Sequence, residues 1–87
     1  MATVSFPGRE EMDFVHEGML FPAIVDGAAI QCFISMEALM CYGLRDHGQL
    51  LSVFIANRSS IESLAQTMIQ SKKVRHAKLS IMLADVR

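Results

Sequence analysis

The chain has 87 residues, which is room for one domain with one core and none for a deep, walled catalytic cleft. Hydrophobic residues make up 52% and charged residues 20%, a globular balance that excludes a disordered chain. A net charge of −1 argues against a dedicated nucleic-acid binder, which is usually basic.

The first half reads as strands. Thr3–Phe6 alternates until Pro7-Gly8 stops it, and Met12–His16 alternates again. Glu17-Gly18 reads as a tight turn in which Gly supplies the positive φ. Met19–Val25 follows, then Asp26-Gly27, a strong hairpin signal, then Ala28–Ile34.

Two-residue loops at both turns fix a register. Val25 pairs with Ala28 and Met19 with Ile34, while His16 pairs with Met19 and Met12 with Ala23. One face of this antiparallel meander then carries Met12, Phe14, Met19, Phe21, Ala23, Val25, Ala28, Ile30, Cys32 and Ile34. The other carries Asp13, Val15, Leu20, Pro22, Ile24, Ala29, Gln31 and Phe33, and is far less polar than a solvated face. Pro22 has no N–H for a ladder, so the strand is either bulged there or unpaired on one side.

The middle is helical. Ser35 is an N-cap ahead of Met36–Tyr42, whose stripe is Met36, Leu39 and Met40, and Gly43 stands at the C′ position. A longer helix spans about 49–71, with Leu50, Leu51, Phe54, Ile55, Ile61, Leu64, Ala65, Met68 and Ile69 at helical spacing. A kink or a joint is expected at Ser59-Ser60. Ala77, Leu79, Ile81 and Leu83 alternate with Lys78, Ser80 and Met82 as a last strand. The reading is an α+β two-layer sandwich over residues 1–87: a mostly antiparallel sheet with an N-terminal β-meander, two helices on one face, and a C-terminal strand.

With this order in place, Phe21-Pro22-Ala23-Ile24-Val25-Asp26-Gly27, Ile30-Gln31-Cys32-Phe33-Ile34-Ser35-Met36-Glu37-Ala38-Leu39 and Phe54-Ile55-Ala56-Asn57-Arg58-Ser59-Ser60-Ile61-Glu62 resemble the small bacterial proteins grouped as DUF1488. The resemblance covers roughly residues 3–85. It implies a small two-layer α/β fold and a bacterial origin, and it implies no activity.

Charge is divided along the chain: residues 1–48 hold seven acidic and two basic groups, and residues 49–87 hold two acidic and six basic. Two cysteines without a Cys-x-x-Cys fit reduced thiols; with no signal-peptide pattern and no membrane-length apolar run, they point to a cytoplasmic protein. Cys32 falls on the core face, and Cys41 is offset from the helix stripe as an exposed thiol. His16, His47 and His76 have no ligand spacing with one another or with a cysteine, so no metal site and no cofactor are expected. No catalytic constellation is present.

Three constellations remain. Val15, Leu20, Ile24, Phe33 and Met82 form an apolar patch on the outer sheet face, which points to self-association or a protein partner. Lys72, Lys73, Arg75 and Lys78 are the one nucleic-acid-like run, an alternative that lacks interleaved aromatics. Asn57 and Arg58 lie on the long helix, with Arg58 inside the apolar stripe. There it serves either as an anion or ligand site or as a snorkelling side chain paired with Glu62.

Overall fold

The structure is a computed structural model that describes residues 2–86, except the side chain of His47. Its strands are β1 (Val4–Ser5), β2 (Glu11–Asp13), β3 (Gly18–Val25), β4 (Ala28–Ser35) and β5 (Lys78–Ile81). Its helices are α1 (Met36–Met40), α2 (Leu50–Ala56), α3 (Arg58–Gln70) and α4 (Leu83–Val86), with a 3₁₀ turn at His47–Gln49.

The β3–β4 hairpin has the expected register from Val25–Ala28 to Met19–Ile34. Asp26 and Gly27 both take positive φ, 51° and 84°, as the twist of a two-residue turn demands. Asp26 also ties down the N-terminus: its Oδ1 accepts from Thr3 N and its N–H donates to Thr3 O, each at 2.9 Å. β5 joins β4 in parallel, after the helices have crossed from one end of the sheet to the other.

Pro22 explains the sheet's other edge. Ladder pairs alternate between hydrogen-bonded and non-bonded along an antiparallel hairpin. Counted from the turn, Pro22–Gln31 is a non-bonded pair, so the proline nitrogen faces away from β4. On that side β1 pairs only as far as Ser5–Ile24, and β2 begins only at Glu11–Leu20. The proline therefore stands in a gap between two short strands, and the strand is unpaired on one side rather than bulged.

The first turn departs from expectation. β2 pairs Met12 with Met19 and Asp13 with Gly18, so the connection is a four-residue turn, Phe14–Glu17. Asp13 holds it, because its Oδ1 accepts from the N–H groups of both Val15 and His16 at 3.1 Å. Glu17, not Gly18, takes the positive φ of 55°. Gly18 is needed for a different reason: a Cβ there would fall on the Ile34 carbonyl oxygen and within 2.6 Å of the Phe33 ring. The slip is an even number of residues, so Met12 keeps its expected face. Phe14 and Val15 leave the sheet altogether and are 67% and 85% exposed.

In the helical layer, Ser35 Oγ caps α1 by accepting from Ala38 N at 3.1 Å, and Gly43 has a φ of 102°. The long helix breaks at Asn57, ahead of the serine pair. There the Asn57 amide donates to Val53 O at 2.9 Å and to Tyr42 O at 3.1 Å. The asparagine thus serves the α1–α2 loop and the helix joint together. Sheet residues Met19, Phe21, Ala23, Cys32, Ile34, Leu79 and Ile81 meet Ala38, Leu39, Leu44, Leu50, Phe54, Ile61, Ala65, Met68 and Ile69 in one core. Met40 and Ile55, expected in helix stripes, are 58% and 50% exposed, and Leu51 is exposed beside them. Short helices offer narrow buried faces: Ala38 takes the place expected for Met40. The last strand stops at Ile81, because Asp85 reaches back to accept from Met82 N at 2.9 Å and opens α4 at Leu83.

These two glycines make distinct predictions for urea unfolding. Gly27 has open space around its α-carbon and pays only for its left-handed backbone, so Gly27→Ala is expected to cost about 1–2 kcal/mol. Gly18→Ala forces the Phe33 ring and the β4 backbone to move, and is expected to cost about 1–3 kcal/mol. It should also alter the ring signals of Phe33, which Gly27→Ala leaves unchanged.

Candidate functional site: the outer face of the sheet

Residues whose side chains point away from the helices build a shallow groove of about 690 Å³. Register places them in rows across the sheet. Glu11, Leu20, Phe33 and Ser80 form one row, and Pro22, Gln31 and Lys78 form the next. Leu20 and Phe33 are half-buried in the floor, and Met82 is 46% exposed beside them. Glu11 and Asp13 stand on the β2 rim and Lys78 on the β5 rim, so the groove has an acidic wall and a basic one. Ile24 lies two residues beyond Pro22 on the same face, half-buried.

Of the five residues expected on the patch, Leu20, Phe33 and Met82 come together in the groove, and Ile24 extends the face. Val15 does not join them, because it sits in the Phe14–Glu17 turn. Sequence reasoning missed His16 instead. Its Nδ1 lies 2.8 Å from Asp13 Oδ2, and its ring meets Phe33 edge-on with centroids 6.4 Å apart. The hydrogen bond from His16 holds the Asp13 carboxyl below its usual range. The clue was present as Asp13 three residues before His16, the spacing of a side-chain-capped turn.

Arg58 lies on the opposite side of the molecule's edge, over the Phe6–Glu10 loop. Its Nη1 is 2.6 Å from Glu10 Oε1 and 3.9 Å from Glu62 Oε2, and its guanidinium sits 5.5 Å above the Phe54 ring. Among the described residues no donor is aimed at Glu10 Oε1 with good angles, so the contact is an ion pair. Arg58 is the main reason the Glu10 carboxyl lies below its usual range, against the opposing effect of burial. Burial dominates at Glu62 and pushes its carboxyl up. Two carboxylates thus already match the guanidinium that an anion would have to engage. Asn57, the other residue of that pair, spends its amide on backbone carbonyls.

The basic run is spread over the α3 end and the start of β5. Arg75 Nη1 donates to the carbonyls of Lys72 and Val74, at 2.9 and 3.1 Å, which turns the guanidinium onto its own backbone. Lys72 and Lys73 are exposed beyond it, and Lys78 faces the groove. Among the described residues no cluster of His, Cys, Asp and Glu could hold a metal ion, and no helix is long and apolar enough to cross a membrane.

The chain belongs to the DUF1488 family, described as a protein of unknown function, whose model matches residues 4–81. It is 36% identical over 70 residues to the uncharacterized protein YrdB of Escherichia coli strain K12, covering 79% of this chain and 82% of that one. The YrdB protein of Shigella flexneri matches to the same extent. A crystal structure of a DUF1488 protein from Shewanella loihica PV-4 superposes with a TM-score of 0.77 over 90% of each chain at 22% identity. That likeness establishes the fold alone.

Three outcomes follow from the charges and thiols. Glu10 has a lowered pKa, so its stabilisation is present above the usual carboxylate value near 4.5 and fades as pH falls through its own lower one. Glu10→Gln is expected to lose about 1 kcal/mol at pH 7 in thermal or urea unfolding, with the deficit closing under acid. Glu62→Gln runs the other way: its raised carboxyl opposes folding once ionised, so the variant should match or exceed wild type at pH 7. Cys32 is fully buried and its thiol is pushed up to about 12, whereas Cys41 is exposed. A thiol reagent in native buffer should label Cys41 promptly and Cys32 only on unfolding.

Proposed function

We propose that this protein acts without catalysis, as an association module that uses the outer sheet face to bind a second copy of itself. The observation that carries the reading is the groove: no helix contributes to its lining, while Leu20, Phe33 and Met82 leave an apolar floor open. Contiguous apolar surface on a small protein usually marks an interaction site. A second copy fits because the face carries both signs of charge on opposite rims, so it is complementary to itself. A single-sign face would repel its own copy and require another partner.

The aligned packing of two sheets face to face is a standard architecture, with layers about 10 Å apart and strands within about 30° of each other. Such a pairing would place Phe33 and Leu20 in its dry centre, where aromatic side chains contribute most. The nucleic-acid reading draws no comparable support, since Arg75 is turned onto its own backbone and the groove's other rim is acidic.

Sedimentation equilibrium of wild type and Met82→Glu tests the proposal. Met82 is partly exposed and stands outside the core, so the variant is expected to remain folded. Wild type should sediment as a concentration-dependent dimer, and Met82→Glu should weaken that dimer at least tenfold with an unchanged far-ultraviolet spectrum. A wild type that stays monomeric up to about millimolar concentration ends the proposal, since even weak interfaces populate a dimer there.

A further inference from the structure

Resting on that reading, we infer how the two copies meet: the outer faces pack about a twofold axis parallel to the strands, and Lys78 of each copy engages Glu11 of the other. Two observations lead there. The first removes the competing mode, which is pairing of β5 edges into one continuous sheet.

Gln31 N donates to Ala77 O at 3.0 Å, which in a parallel ladder assigns residues 77, 79 and 81 to β4 and turns residues 78 and 80 outward. The outward groups of Lys78 are already taken, because its N–H donates to Arg75 O at 2.9 Å and its carbonyl accepts from Arg75 N at 2.8 Å. The next backbone N–H, that of Met82, is held by Asp85. Among the described residues Ser80 alone keeps free backbone groups along this edge, too few to template another strand. A closed edge of this kind, with a lysine upon it, is how sheets avoid pairing with their neighbours. The β5 edge therefore offers no route to association, whereas the open outer face does.

The second observation sets the axis. Leu20 and Phe33 share a row at the middle of the sheet, with Glu11 at one end of that row and Lys78 one row further on at the opposite rim. A twofold axis running along the strands, between β3 and β4, exchanges the left and right rims while keeping each row level. Phe33 of one copy then lies over Leu20 of the other. The acidic β2 rim lies over the basic β5 rim, where a lysine side chain spans the roughly 7 Å between alternate residues of a strand. An in-plane axis across the strands instead sets the acidic β2 rim against the β2 rim and the basic β5 rim against the β5 rim. Symmetric closure by the first axis also limits the assembly to a dimer.

The face is about four strands wide, roughly 19 Å, so the dimer is expected to be weak, in the micromolar range. The test is a charge swap measured by sedimentation equilibrium at low and moderate salt. Lys78→Glu and Glu11→Lys, each alone, should weaken dimerisation about tenfold, and the double variant should return to within about threefold of wild type. Both sites are exposed, so folding is spared, and circular dichroism of each variant checks it. A double variant no tighter than either single one, or single variants equal to wild type, overturns the inferred axis. If that happens while wild type still dimerises and Met82→Glu does not, the outer-face reading survives and only this arrangement falls. A monomeric wild type removes both.

Discussion

One missing N–H organises this fold. Pro22 sits at the middle of β3, and its nitrogen faces the edge that the N-terminal segment must cover. A continuous strand there would have met a position with no donor, so the segment pairs twice and steps away between. The residues in the step, Phe6 to Glu10, are then free to bind the helical layer. Phe6 packs on Phe21 with ring centroids 6.2 Å apart, and Phe21 on Phe54 at 5.2 Å. Arg58 lies over Phe54 and closes the series on Glu10. An interruption in the sheet thus becomes the clamp that joins sheet to helices.

The same clamp gives Arg58 its role. A guanidinium half-sunk over an aromatic ring, with a carboxylate at 2.6 Å and another nearby, is satisfied within its own chain. What it adds to stability is modest, as partly exposed ion pairs generally are, but it fixes which part of α3 the N-terminal loop touches. Its neighbour Asn57 works similarly through the backbone. Between them they tie the joint between α2 and α3 to the α1–α2 loop and to the N-terminal loop.

The surplus of apolar residues is resolved by the two faces of the sheet. The inner face meets the helices and is dry. The outer one is smoothed by local devices: the Phe33 ring lies over a glycine, His16 stands against that ring, and the turn that carries His16 is tied by Asp13. The result is a firm, shallow surface with charge at its rims, flanked by an edge whose backbone groups are mostly used. Fold persists across the family at 22% identity to the Shewanella protein, so the architecture tolerates wide changes in side chains.

The β3–β4 hairpin, its register, the Ser35 cap, the C′ glycine and the family itself were legible in the chain, because each rests on contacts between near neighbours or on period-2 alternation. The two-faced apolar character of β3 and β4 was legible for the same reason, and three of the five patch residues meet in the groove as read. What only the tertiary structure decided depends on distant partners. Gly18 had to leave room for the Phe33 ring, and its pairing with Asp13 left Val15 in the first turn, outside the sheet. Asn57 reached Tyr42 and set the helix break two residues earlier than the serine pair. Glu10, far from Arg58 in sequence, claimed its charge. Local chemistry chose the elements, but the gap beside Pro22 and the groove floored by Phe33 exist only once separate segments share one sheet.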